Sequence, residues 1–168
     1  AAVAVAQGND RLGIAGVAWN VKVMPVKIAN SNSSDDVTLA AGITYAVDKG
    51  ADVINVSFAG TESSWTLESA VTYALSRGVV IVAAAGNNGT WSVGYPAAIQ
   101  GVIAVGATDS VNNHCSFSNQ GAALDIAAPG SSILSYTVPS ITSFARWSGT
   151  SFSSPLVAGV AALLKSAN

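Results

Sequence analysis

The stretch DVINVSFAGTESSWTLESAVTYALSRGVVIVAAA, residues 52–85, decides the fold. Its first seven residues (DVINVSF) read as a strand. Ser64 then offers a hydroxyl as a helix N-cap, and Glu68 places a carboxylate in the first turn, where the helix dipole favours negative charge. Leu67, Val71 and Ala74 recur at helical spacing, and Gly78 supplies the stop. Residues 79–85 (VVIVAAA) are apolar on both faces, as in a parallel strand covered by helices on each side. Strand, helix and strand in this order imply a right-handed crossover.

The same unit precedes it. Residues 21–28 (VKVMPVKI) are expected to form a strand, with Pro25 marking an irregularity or an exposed edge. The polar stretch NSNSSDD, residues 30–36, reads as a loop that ends in capping chemistry at Asp35 or Asp36. Val37, Ala40, Ile43 and Val47 then form a helical stripe that Gly50 ends. After Gly89 the texture changes to short strands, expected at 102–107, 124–127, 132–136 and 144–147, joined by turn-rich loops. Pro155 suits the first turn of a helix that continues over 156–164. The fold class is therefore α/β around a parallel sheet.

Composition narrows the function. A chain of 168 residues, half of them apolar, builds one core and hence one domain. Seven basic and nine acidic residues leave a net charge of −2, with no basic stripe to follow a nucleic-acid backbone. No apolar run approaches the roughly 20 residues a membrane span requires, and the opening AAVAVAQG lacks the basic region of a signal peptide. The first residue is Ala and the only methionine is Met24, so the chain is expected to be processed or cut. With Cys115 alone, neither an internal disulfide nor a cysteine metal cluster can form. Few charges with abundant Gly, Ala and Ser suit a secreted hydrolase.

The chemistry concentrates in GTSFSSPLVAG, residues 149–159. A serine at a helix N-terminus sits beside unpaired backbone N–H groups that can stabilise an oxyanion. The plain alternative is an ordinary Ser/Thr-rich helix cap. For Asn87 in AAAGNNG, residues 83–89, the alternative is a turn residue before glycine. Asn87 follows a buried strand at its C-terminal end, where open α/β sheets place their ligands.

Taken in order, these blocks resemble the subtilisin-like serine proteases. GTSFSSPLVAG resembles that family's nucleophile motif, AAAGNNG its oxyanion strand end, and VINVSFAG (53–60) the strand lining its substrate channel. GYPA (94–97), VIAVGATD (102–109), SFSNQG (116–121) and LDIAAPG (124–130) also look like family blocks in family order. The resemblance runs from about Gly13 onward. It implies a three-layer subtilisin-like fold, with residues 1–168 as the C-terminal portion of a single catalytic domain whose N-terminal part, including a central strand, is missing. It also implies Ser151 as nucleophile and Asn87 as oxyanion donor. Ser57, Phe58 and Ala59 would face Ala84, Ala85 and Gly86 across the pocket for the residue before the cut, with Gly94 at its base. A small base suggests a large apolar or aromatic preference, although Ala59 replaces the family's glycine and adds a methyl. Trp91 would either cover this pocket or pack on the surface.

The resemblance exposes an absence. The family's histidine lies in a His-Gly-Thr motif that this sequence lacks, and its aspartate lies further upstream. His114, the only histidine, stands in the polar loop VNNHCSFS and is read as a surface residue rather than a base. Asp125 is read as structural. Ser151 without a base is expected to be nearly inert, and the missing strand to leave a gap or unpaired edge unless another chain, such as the N-terminal fragment, fills it.

Residues 7–13 (QGNDRLG) resemble the family's calcium loop, with Asp10 as one contributor and the other ligands absent, so that site is expected to be broken or weak. A second, weaker cation site would use the carbonyls of Ala97, Ile99 and Val102 with Asp125. For both loops a solvated turn is the alternative. No organic cofactor is implied, and the expected partners are polypeptide substrates. The competing functions are a non-catalytic pseudoprotease that binds peptides and, more distantly, a nucleotide-binding domain, for which no GxGxxG opens a helix.

Overall fold

A computed structural model describes residues 1–29, 34–137 and 143–167. Part of the 30–36 loop lies outside the described residues.

After a short helix α1 (Ala2–Val5), helix α2 (Asp36–Asp48) begins at Asp35, whose carboxylate accepts the Thr38 N–H at 2.6 Å. Strand β1 (Val53–Val56) follows, then α3 (Trp65–Ser76), capped by the Ser64 hydroxyl on the Leu67 N–H at 3.3 Å. Both caps satisfy donors that the helix itself cannot. Strands β2 (Val80–Ala84), β3 (Ile103–Thr108) and β4 (Ile126–Pro129) complete a four-stranded sheet in the order β1-β2-β3-β4. Every pairing is parallel, with Val53 opposite Val80, Val82 opposite Ile103 and Val105 opposite Ile126. Strands β5 (Ile133–Tyr136) and β6 (Phe144–Trp147) form a separate antiparallel pair, and α4 (Thr150–Ser166) ends the described fold.

Side chains of β2 alternate between two cores. Ile81 and Ala83 join Leu39, Ile43, Leu67 and Val71 of α2 and α3. Val82 packs with Val105, Ala128 and Ala158 on the side of α4. Helices on both faces of a parallel sheet give the three layers that the apolar run at 79–85 implied.

One expected element is absent. Residues 21–28 belong to no ladder, and Val23 and Met24 are exposed. A strand exists only where a neighbour takes its backbone groups, and no described strand pairs with this segment. Val26 and Ile28 instead lie against Gly42 of α2. β1 likewise has a partner on one side only, leaving its other edge unpaired within the described sheet.

Candidate active site

The N-terminus of α4 meets the C-terminal ends of β1 and β2. Gly149 precedes the helix with φ 150° and makes no side-chain cap. A side chain is strained at that angle, which is the reason glycine occupies it. Thr150, wholly buried, gives both its N–H and its hydroxyl to Asn87 Oδ1, at 2.8 and 2.9 Å. Thr150 Oγ1 also accepts the Gly86 N–H at 3.2 Å. Because a backbone N–H only donates, these bonds fix the oxygen end of the Asn87 carboxamide and leave its NH₂ as the outward donor.

Ser151 is half-buried, and its Oγ donates to the Ser57 carbonyl at 3.4 Å. The Ser57 hydroxyl donates back to the Ser151 carbonyl at 3.1 Å. A further chain of contacts ties the helix to β1: Ser154 Oγ donates to Asn55 Oδ1 at 2.7 Å, and Asn55 Nδ2 donates to Ser57 Oγ at 3.0 Å. The Ser151 N–H falls in the first turn, where no helical carbonyl can accept it. The result is a hydroxyl, a free backbone N–H and a carboxamide NH₂ gathered at one helix tip, the donor set an oxyanion requires.

The structure places Asn87 beside Ser151 through Thr150, the residue that precedes Ser151 and holds the Asn87 carboxamide. Ser57–Gly60 and the end of β2 lie across from each other, joined by Gly94. The Gly60 and Tyr95 backbones exchange two bonds of 2.8 and 2.9 Å, and the Gly94 N–H donates to the Ala85 carbonyl at 2.8 Å. Ala84, Ala85 and Gly86 are buried, Phe58 packs partly into the core, and Ala59 is exposed. The Ala59 methyl faces both other walls: a Cβ built on Gly94 would lie 2.9 Å from it, and one built on Gly86 3.5 Å. Trp91 is 80% exposed, so it does not pack into the surface.

His114 lies elsewhere, bridged to Thr108 at the end of β3, while Ser151 contacts Ser57 beyond β1, two strands away. Among the described residues Ser151 Oγ bonds no imidazole. The Cys115 thiol is pushed up from its ordinary value by burial and then by the Asp109 carboxylate, so it stays protonated near neutrality.

For cations, Asp10 Oδ1 accepts the Leu12 N–H at 2.9 Å within its own turn. Asp125 Oδ2 accepts the Ala104 N–H at 2.8 Å, close to Val102, and the Ile99 carbonyl accepts the Val102 N–H at 3.1 Å. No group of three or more His, Cys, Asp or Glu side chains occurs among the described residues.

Sequence reasoning missed Thr150, Asn55, Ser154 and Asn119 as contributors. The GTS motif placed Thr150 beside Ser151, which was the one available signal. The others are small polar residues that each bond a partner 29 to 99 positions away in the chain.

The chain is similar to known proteins over nearly its whole length. The sequence profile of the subtilase family, Peptidase_S8, matches residues 1–168. Thermitase of Thermoactinomyces vulgaris is 47% identical over 167 residues, which cover 99% of this chain and 59% of thermitase. Subtilisin Savinase of Lederbergia lenta is 45% identical, covering 98% of this chain and 61% of the relative. The chain thus spans about three-fifths of the length of these two relatives. Among solved structures, a protease of Pseudoalteromonas arctica superimposes with a TM-score of 0.93 at 35% identity, over 99% of this chain and 57% of that one. The self-cleaved protease domain of PatA gives 0.87 at 38% identity, over 94% and 62%.

Proposed function

The chain belongs to the subtilase family, and on that premise we propose that it carries the nucleophile and oxyanion site of a secreted serine endopeptidase, with the histidine base and its aspartate on polypeptide outside these 168 residues. The observation that carries this reading is the Asn87 carboxamide held by Thr150 beside Ser151. Ser151 Oγ attacks the substrate carbonyl carbon as the external base takes its proton. The negative oxygen accepts from the Ser151 N–H and Asn87 Nδ2. The C–N bond then breaks, the proton passes to the leaving amine, and water hydrolyses the acyl-enzyme by the same route.

Substrate would lie between Ser57–Phe58–Ala59 and Ala84–Ala85–Gly86, with Gly94 at the pocket base. The Ala59 methyl favours a small side chain before the cut. The unpaired edge of β1 is where the missing N-terminal strand would pair, giving residues 21–28 a neighbour as well. A cation would be held by the carbonyls of Ala97, Ile99 and Val102 with Asp125. Asp10 offers a calcium ion a single carboxylate and needs ligands from elsewhere. Secretion is supported by the sparse charge, and no described helix is long and apolar enough to cross a membrane.

Fluorophosphonate labelling tests the reading. The 168-residue chain alone is expected to label negligibly and to leave peptides intact. The polypeptide extended by its own upstream residues is expected to label at Ser151 and hydrolyse peptides. Rapid stoichiometric labelling of the short chain, or an inert extended one, overturns the proposal; the latter with retained peptide binding would point to a pseudoprotease.

A further inference from the structure

We propose that Asn119 is a positioning residue that aims the Asn87 carboxamide at the oxyanion, an inference that rests on the protease reading above. Asn119 is 4% exposed and reaches the loop carrying Asn87 from behind. Its backbone N–H donates to the Gly86 carbonyl at 2.9 Å. Its side-chain Oδ1 accepts the N–H groups of Asn88, at 2.9 Å, and Thr90, at 3.2 Å. One residue therefore holds the chain both before and after Asn87. Two backbone bonds reinforce the grip, from the Gly89 N–H to the Phe117 carbonyl at 2.8 Å and from the Gln120 N–H to the Thr90 carbonyl at 3.0 Å.

Thr150 fixes the far end of Asn87 by its oxygen. A carboxamide held only there still pivots when its Cα shifts, so the direction of Nδ2 is set only if the backbone is held as well. Donors aimed in advance at the developing charge make oxyanion stabilisation effective, and a shift of about 1 Å can cost on the order of 10² in rate. Asn119 has a rigid base for this task. The wholly buried Ser118 accepts the Ala107 N–H of β3 at 3.0 Å and donates to the Asn119 carbonyl at 3.1 Å. Gly86 has φ 109°, and a Cβ there would run into Asn119 Nδ2. Glycine at 86 is what lets the clamp close on the loop.

The test uses the extended, base-bearing polypeptide. Asn119→Ala is expected to lower kcat about tenfold with KM changed by less than about twofold. Asn119→Asp, which keeps the acceptor oxygen, is expected to recover most of that loss. In an Asn87→Ala background, adding Asn119→Ala should change kcat by less than about twofold, since the group it aims is gone. A general loosening of the fold would instead exact its cost in both backgrounds. Hydrogen exchange checks the geometry: the Asn88 and Thr90 amides lose protection in Asn119→Ala and keep it in Asn119→Asp. An active wild type whose Asn119→Ala variant is equally fast, or equal losses in the two backgrounds, overturns the proposal and leaves the protease reading standing. A wild-type polypeptide that neither labels nor hydrolyses overturns both.

Discussion

Helices α3 and α4 both start beside the parallel sheet, yet their first turns are treated in opposite ways. At α3 the Ser64 hydroxyl takes up the Leu67 N–H, and the helix end is closed. At α4 the N-cap is Gly149, which contributes no side-chain bond. There the Thr150 N–H holds another residue's carboxamide, and the Ser151 N–H is left for something outside the helix. A cap spends donors on local stability. An open end keeps them for a ligand, and its geometry must then be secured by contacts from elsewhere. In this protein those contacts are Thr150 with Asn87, and Ser154 with Asn55.

The sharpest way to break this contrast is to remove the donor that α4 holds in place. Asn87→Ala in the extended polypeptide is expected to lower kcat by about 10²–10³, a size carried over from a subtilisin oxyanion amide rather than derived from this structure. Steady-state kinetics on a peptide ester reads it, and an unchanged kcat would mean that the open helix end serves no oxyanion.

The closed end should respond differently. Ser64→Ala is expected to cost about 1 kcal/mol of stability by urea denaturation, while Ser151 labelling in the extended polypeptide keeps its wild-type rate. A matching fall in labelling would erase the distinction between the two helix ends.

The smallest effect concerns α2, another closed end. The Asp35 carboxylate is held below its ordinary value, chiefly by the Thr38 backbone N–H and then by the Thr38 side chain. Its folded value lies below its unfolded one, so the stabilisation is present above the unfolded value of about 3.9 and is lost as pH falls through the folded value. Asp35→Ala should therefore be less stable at pH 6 and show a shallower acid limb below about pH 4. Urea midpoints measured from pH 2 to 6 follow it, and parallel limbs in the two proteins would contradict the assignment.

How much was legible beforehand follows from the same contrast. Closed ends are written locally: Ser64 with Glu68, and Asp35 with Asp36, stand directly before apolar stripes at helical spacing. The β2 strand was legible because seven apolar residues admit little else between two glycines, Gly78 and Gly86. The open end is written non-locally. Ser151 and Asn87 were found through motif resemblance, whereas Asn55, Ser154 and Asn119 carry no periodic signal, because a small polar side chain reads alike whether it faces water or a buried partner. Residues 21–28 failed for a related reason. Their alternation suits a strand, but pairing is a property of two segments, and no described segment supplies the second.

The contacts that hold Ser151 and its neighbours span 63, 94 and 99 positions of sequence, and all of them end within the first five residues of α4. A ribosome therefore delivers Asn55, Ser57 and Asn87 long before the residues that align them. A growing chain halted before Thr150 lacks both the Ser151 hydroxyl and the Thr150 groups that hold the Asn87 carboxamide. Order of synthesis alone keeps the nascent polypeptide from bringing Ser151 and Asn87 together until nearly all of these residues have emerged.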